Sequence, residues 1–168
     1  LSIQILHPED SLETLDNGLR KHLGMETDYS AAFHYARQGF HDRTIYKLMD
    51  QFMCNYVYFQ LSGTNPPPVL IIGPYLTIDP TREMLLEQAE RLSIPMNHLD
   101  LLSDHYASLP IFNNPAPIMA MISSFGEVLW GRSDAFDMVD VNYEQLTSLP
   151  QHISSDAPIE QEDILVQM

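Results

Sequence analysis

The hydrophobic pattern of this chain changes from the period of strands to the period of helices at Gly73-Pro74-Tyr75. Before that point apolar and polar residues alternate, with Val57, Phe59 and Leu61 on one face of a predicted strand. After it, apolar residues recur every three or four positions, which is the spacing of amphipathic helices. A strand-rich segment that is followed by a run of helices favours an α+β domain. A β-barrel is disfavoured, because it needs about eight evenly spaced short strands.

The sheet is predicted from the first half of the chain. Residues 55–61 form the clearest strand, and residues 69–72 have the continuous apolar character of a central strand. The loop between them, SGTNPPP at 62–68, contains prolines that cannot donate ladder hydrogen bonds, so it separates two strands, which we expect to form an antiparallel pair. Weaker strand candidates lie at 29–35 and 43–48. We therefore predict a small antiparallel sheet flanked by helices, closest to the GAF- or PAS-like sensor folds.

Four amphipathic helices are predicted around this sheet. One spans residues 11–24, and three more follow between residues 79 and 130. Within residues 118–130 the one charged residue is Glu127, so we expect this helix to be heavily buried, in the core or against a second subunit. The residues predicted to form a homodimer contact are Ile118, Met121, Ile122, Phe125 and Leu129.

Composition limits the class of partner. The 168 residues include 23 Asp and Glu but 8 Lys and Arg, which gives a net charge of -15. Such a chain lacks the basic surface that nucleic acids or anionic membranes require. The longest apolar run, 69–72, is too short to span a bilayer, and no secretory signal pattern opens the sequence. A single cysteine, Cys54, excludes a disulfide framework, so we expect a cytoplasmic protein.

Patterns typical of nucleophilic catalysis and phosphate binding are missing from the sequence. There is no G-x-S-x-G motif, and Gly63 and Gly73 match neither a Walker nor a dinucleotide-binding spacing. Cys54 is the one thiol, and its neighbours Phe52 and Tyr56 predict a buried core side chain instead of a reactive thiolate.

Metal ligation by His98, His105 and Asp104 is the alternative that would make this an enzyme domain. The two histidines lie seven positions apart on one predicted helix, roughly 10 Å along its axis, which is too far to share an ion. Helical zinc-binding histidines normally lie four positions apart. His34 and His41 offer no better spacing. We therefore expect no metal, no cofactor and no catalytic residue, and a metal-dependent or ligand-transforming enzyme stays the alternative.

Small-molecule binding is predicted on the tyrosine-bearing face of the sheet. Tyr46, Tyr56 and Tyr58 fall on neighbouring strand candidates, and Gln60 shares a face with the last two. Aromatic rings with hydroxyl tips beside an amide can form a binding platform, so these four residues are the candidate ligand contacts. The competing interpretation is that a helix covers this face and the tyrosines are ordinary core residues.

Several strings in the sequence resemble a known family. Residues 44–77 read TIYKLMDQFMCNYVYFQLSGTNPPPVLIIGPYLT, and after a predicted helix residues 101–112 read LLSDHYASLPIF. An I-G-P-Y strand end before two helices and a Y-x-S-L-P turn is similar to the N-terminal regulatory region of AraC-type transcriptional regulators of the Firmicutes. The similarity covers about residues 44–143. It implies a signal-sensing and dimerising domain without enzymatic activity, followed by a linker and a pair of helix-turn-helix motifs that this chain lacks.

The chain is accordingly divided into two parts. We expect residues 1–150 to form the sensor domain, and residues 151–168 to form an acidic linker with the start of a helix that leads to a DNA-binding domain. The expected partners are a second copy of the chain and an unidentified small-molecule effector, with DNA bound through the missing domain alone. A dimerisation scaffold without a ligand is a third interpretation.

Overall fold

The computed structural model describes residues 1–34, 40–132 and 135–142, and its centre is a five-stranded sheet. The strands are β1 (Ile3–Leu6), β2 (Thr44–Met49), β3 (Asn55–Gln60), β4 (Val69–Tyr75) and β5 (Asp137–Asn142). They lie in the order β1-β4-β3-β2-β5. Neighbouring strands are antiparallel, except that β2 and β5 are parallel. The α+β class is therefore confirmed, with a mixed sheet in place of the purely antiparallel one predicted.

Five α-helices accompany the sheet in the described ranges. They are α1 (Leu19–His22), α2 (Tyr29–Ala32), α3 (Arg82–Arg91), α4 (Leu99–Ser108) and α5 (Ala116–Trp130). Short 3-10 turns precede three of them: Leu12–Thr14 before α1, Glu26–Asp28 before α2 and Met96–His98 before α4. In this part of the chain, none of the helices combines the length and the apolar character needed to cross a bilayer.

The two faces of the sheet are covered by different helices. On one face, Ile118 and Ile122 of α5 pack in a cluster with Val57 and Phe59 of β3. On the other face lie the tyrosines of β2 and β3, in a larger cluster with buried residues of α1, α2, α3 and α4. The alternation predicted for residues 55–61 is thus confirmed, because it separates these two clusters.

The predicted helix over residues 11–24 is interrupted. Ser11 caps its start, since the hydroxyl accepts a backbone N–H, but Asn17 and Gly18 have φ angles of 55° and 77°. Positive φ ends an α-helix, so the segment forms a 3-10 turn and the short α1 instead. The predicted apolar stripe still points inward, and its buried members are Leu15, Leu19 and Leu23.

Other strand predictions have mixed outcomes. The strand candidate at 43–48 is confirmed as β2, and 69–72 lies in β4, antiparallel to β3. The strand predicted at 29–35 is wrong where the structure describes it, because Tyr29–Ala32 is α2. Strands β1 and β5 were not predicted. The linker and helix predicted for residues 151–168 lie outside the described residues.

The last described helix, α5, is buried on one side. Ile118 and Ile122 are buried in the core, and Phe125 is partly buried. Met121 and Leu129 are exposed on the opposite side. Val128, beside them, is 84% exposed, so the core buries one face of this helix and not the whole of it, and burial against a second subunit stays a prediction.

Candidate ligand-binding site

A cavity of about 270 Å³ opens at one end of the tyrosine-bearing face of the sheet. Its floor is a row of side chains from three strands: Leu6 of β1 is paired with Val69 of β4, and Val69 with Gln60 of β3. Leu6 and Val69 are buried, while Gln60 is partly exposed. The floor is therefore fixed by backbone pairing, which makes it a rigid part of the site.

The walls of the cavity are apolar and stiff. Pro66 and Pro67 come from the loop before β4, and His7 and Pro8 come directly after β1. Phe40, just before β2, completes the lining. Proline rings hold φ near one value and offer no N–H, so this wall gives shape without hydrogen-bond donors.

Phe40 connects the cavity to the predicted tyrosine platform. Its ring meets those of Tyr46 and Tyr58 edge-on, with centroids 6.0 and 5.7 Å apart. Tyr46 and Tyr58 stack on each other at 5.1 Å, and the Tyr46 hydroxyl accepts the N–H of His41 at 2.7 Å. Contact with the two stacked tyrosines therefore helps to hold the Phe40 ring in place.

The four predicted ligand residues do not form one surface. Gln60 lines the cavity, Tyr46 and Tyr58 contact its aromatic wall, and Tyr56 lies apart in the core. The Tyr56 ring is fully buried and meets Phe33 edge-on, 5.5 Å between centroids. A direct ligand contact by the tyrosines stays a prediction, whereas Phe40 was not among the predicted residues.

The polar groups of the cavity are few. Among the described residues, the side-chain amide of Gln60 has no hydrogen-bond partner, so its donor and its acceptor both remain available. His7 is exposed at the rim. No Asp, Glu, Lys or Arg is found among the described residues of the lining. The described lining residues therefore offer apolar contact, the amide of Gln60 and the imidazole of His7 to a ligand.

A buried ion cluster lies deeper in the same side of the molecule, and the sequence did not predict it. Arg20 is fully buried, and its guanidinium nitrogens lie 3.0 Å from Asp16, 3.0 Å from Asp28 and 3.2 Å from Asp50. A carboxylate oxygen of Asp16 also accepts a hydrogen bond from the Tyr29 hydroxyl at 2.8 Å. These contacts tie α1 to α2 and to the turn after β2.

The carboxylates around Arg20 stabilise its charged form. Burial by itself lowers the pKa of Arg20, but Asp50 and Asp16 outweigh it and raise the pKa above its usual value. Desolvation raises the pKa of Asp50, opposed by Arg20 and by the N–H groups of Phe52 and Cys54 at 2.9 and 3.0 Å. Every oxygen of Asp50 thus has a donor, and the cluster acts as a structural anchor.

Cys54 and His105 lie together in the core, with Sγ and Nε2 4.0 Å apart. Burial raises the pKa of the thiol well above its usual value, and Asp50 raises it further. Burial lowers the pKa of His105 to about 4. Both groups are therefore neutral near pH 7, unlike the thiolate–imidazolium pair of a catalytic cysteine. The buried position predicted for Cys54 is confirmed.

The predicted metal alternative does not assemble. His105 points into the core, Asp104 is exposed and His98 belongs to the 3-10 turn before α4. Across residues 1–34, 40–132 and 135–142, no three His, Cys, Asp or Glu side chains are grouped closely enough to hold a metal ion. His34 and His41 are exposed.

Comparison of this chain with protein-family models, curated proteins and solved structures finds no match. Its function therefore has to be argued from the site itself.

Proposed function

We propose that this chain is the signal-sensing and dimerisation domain of an AraC-type transcription regulator. In this proposal it has a GAF- or PAS-like role in the cytoplasm, binds a small-molecule effector and catalyses no reaction. DNA is bound by a separate helix-turn-helix domain of the same protein.

The observation that carries the sensing role is the cavity at the end of the tyrosine-bearing face. Ligand sites are concave, mostly apolar and marked by a few polar groups, as this cavity is. Its floor draws one residue from each of β1, β4 and β3. A ligand resting on Leu6, Val69 and Gln60 would therefore contact three strands at once, which gives binding a route to the rest of the sheet.

The outward face of α5 supports the dimerisation role. Met121, Val128 and Leu129 are exposed there, and Glu127 is the one charged residue of the helix. A chain with a net charge of -15 repels its own copies, so two copies meet at lowest cost across an uncharged surface. Isologous dimers are also the commonest closed assembly.

The two competing functions receive less support. An enzyme would need a cleft with converging titratable groups, and the neutral pair of Cys54 and His105 lies in the core. A ligand-free dimerisation scaffold would not account for an amide-bearing cavity beside an aromatic stack. The sensor therefore accounts for more of the molecule.

The coding sequence that follows the codon for Met168 tests the proposal directly. We expect it to encode two helix-turn-helix motifs after the acidic segment. A catalytic domain in that place, or a stop codon, would overturn the assignment to this regulator class.

A further inference from the structure

We propose that the cavity binds an uncharged molecule of one or two fused rings that exchanges hydrogen bonds with the side-chain amide of Gln60. This inference rests on the proposed function in one respect, namely that the cavity is the site at which the effector binds. The class of ligand itself follows from the size, the walls and the charge of the cavity.

The size of the cavity sets the size of the ligand. Its volume of about 270 Å³ lies slightly below the roughly 300–1,000 Å³ of sites for drug-sized ligands. It exceeds the roughly 150 Å³ of an apolar cavity that holds benzene. One or two fused rings with a small polar group fit this range.

The walls favour a flat, apolar ligand body. The ring of Phe40 contacts Tyr46 and Tyr58, which stack on each other, so its position is held by aromatic packing. The pyrrolidine rings of Pro66 and Pro67 line the same cavity. Ring-shaped ligands pack well between aromatic and proline surfaces, because both are rigid and lose little entropy on binding.

The described lining residues offer no charged partner to an ionic ligand. A carboxylate ligand would find no Lys or Arg among the described lining residues, and it would approach a chain with a net charge of -15. An ammonium ligand would find no Asp or Glu there. Burying either charge without a partner is costly, so the neutral form of the same ring is preferred.

Gln60 supplies the polar recognition. Its amide offers one acceptor oxygen and two donor hydrogens, and none of these is engaged by another described residue. A ligand amide can both give and take a hydrogen bond with such a group. A ligand without a polar group would displace water from this amide without replacing the lost hydrogen bonds.

The test uses three probes with the same two-ring body: 2-naphthamide, 2-naphthoate and 2-naphthylmethylammonium. Each is titrated into the 168-residue chain at about 0.15 M salt, where long-range charge effects are largely screened. Two-dimensional NMR spectra report the binding. We expect 2-naphthamide to bind with shifts at Leu6, Gln60 and Val69, and both ions to bind at least tenfold more weakly.

Two variants test the role of the amide. Gln60→Leu keeps the size of the side chain and removes its hydrogen bonds, so it should weaken 2-naphthamide binding by roughly 3- to 10-fold. Gln4→Leu is the matched control. Gln4 lies on the same face of β1 as the cavity residue Leu6, but it does not line the cavity itself. It should leave the affinity for 2-naphthamide unchanged.

Three results would overturn the inference: no binding of 2-naphthamide, equal binding of an ionic probe, or shifts that map away from the cavity. These failures differ from failure of the proposed function. A helix-turn-helix pair encoded after Met168 would preserve the regulator assignment even if the ligand class is wrong. Probe binding without such a pair would preserve the ligand class alone.

Discussion

Arg20 shows how one side chain organises the N-terminal part of the molecule. Its guanidinium lies over the rings of Phe33 and Phe52, 5.0 and 4.8 Å from their centroids, in addition to its three carboxylate contacts. A buried guanidinium with these partners positions α1 and the turn after β2 in one geometry. Removing it would leave Asp16 and Asp50 buried without their counter-ion.

We expect Arg20→Met to lower the free energy of unfolding by about 3–5 kcal/mol, because it leaves uncompensated buried carboxylates. Urea denaturation followed by circular dichroism measures this change. Lys21→Met is the matched control, since it removes a neighbouring positive charge that makes an exposed ion pair with Glu13. A loss for Arg20→Met as small as that for Lys21→Met would contradict the anchoring role.

His105 makes the stability of the fold depend on pH. Its pKa is lowered by burial to about 4, below the roughly 6.5 of an unfolded chain, so the unfolded state binds more protons between these values. Stability is therefore complete above pH 6.5 and is lost as the pH falls toward 4. Between pH 7 and pH 5 the loss amounts to about 2 kcal/mol.

Urea denaturation at pH 7 and at pH 5 checks this linkage. In His105→Gln the loss of unfolding free energy between the two pH values should shrink by about 2 kcal/mol. His41→Gln, at an exposed position, should keep the loss seen in the parent chain. If both variants show the parent's pH dependence, His105 is not the responsible group.

At the scale of elements, α5 is held to the strand β5 through a close approach at Gly126. A Cβ atom there would lie 2.6 Å from the Phe136 ring, which is closer than packed side chains come. Phe136 in turn contacts Trp130, 5.7 Å between ring centroids. The absence of a side chain at Gly126 therefore allows the segment before β5 to pack on the helix.

Gly126→Ala should displace Phe136 and change the fluorescence of Trp130, the single tryptophan of the chain. We expect a net loss of stability, because overpacking costs about 1–3 kcal/mol while the gain in helix propensity is about 1 kcal/mol. In a Phe136→Ala background the clash is gone, so the same substitution should stabilise the chain. A double-mutant cycle measures the difference, and additive effects would refute the close packing.

The elements also show what the sequence could predict. The inward residues of α4 and β3 follow their periodic patterns, and Leu102, Val57 and Phe59 are fully buried as expected. The break at Gly18 was missed, because the regular leucine spacing of residues 11–24 gives no sign of a positive φ. The helix at Tyr29–Ala32 was missed as well, since it is four residues long and too short to show a helical period. The parallel pairing of β5 with β2 joins segments that are far apart in the sequence, so no local pattern predicts it.

The candidate site was predictable in part for the same reasons. Gln60 was placed correctly on the tyrosine-bearing face by strand alternation. Phe40 and the wall prolines were missed, because loops carry no periodic signal that says which strand end they cover. The opposite charges of Asp16 and Arg20, four positions apart, were a signal for the ion cluster, but charged residues are usually exposed.

On the scale of the whole molecule, the outward face of α5 should mediate association of two copies. We expect a dimer in sedimentation velocity at micromolar concentration. Val128→Glu places a charge at the most exposed apolar position of this face and should shift the chain toward a 19.2 kDa monomer. Met96→Glu is the control, since Met96 is 65% exposed outside α5. A monomeric parent chain, or equal effects of both variants, would contradict this dimer surface.

The proposed division of labour between this chain and a separate DNA-binding domain has its most direct test in a fluorescence anisotropy titration at low salt. Labelled promoter DNA is titrated with the 168-residue chain and with the proposed longer protein that includes the helix-turn-helix domain. Affinity for a duplex depends largely on Lys and Arg that neutralise phosphates, and this chain has 8 of them against 23 carboxylates. We expect no saturable binding by the chain and tight, sequence-dependent binding by the longer protein. Saturable, sequence-dependent binding by the chain alone, or none by the longer protein, would contradict the account.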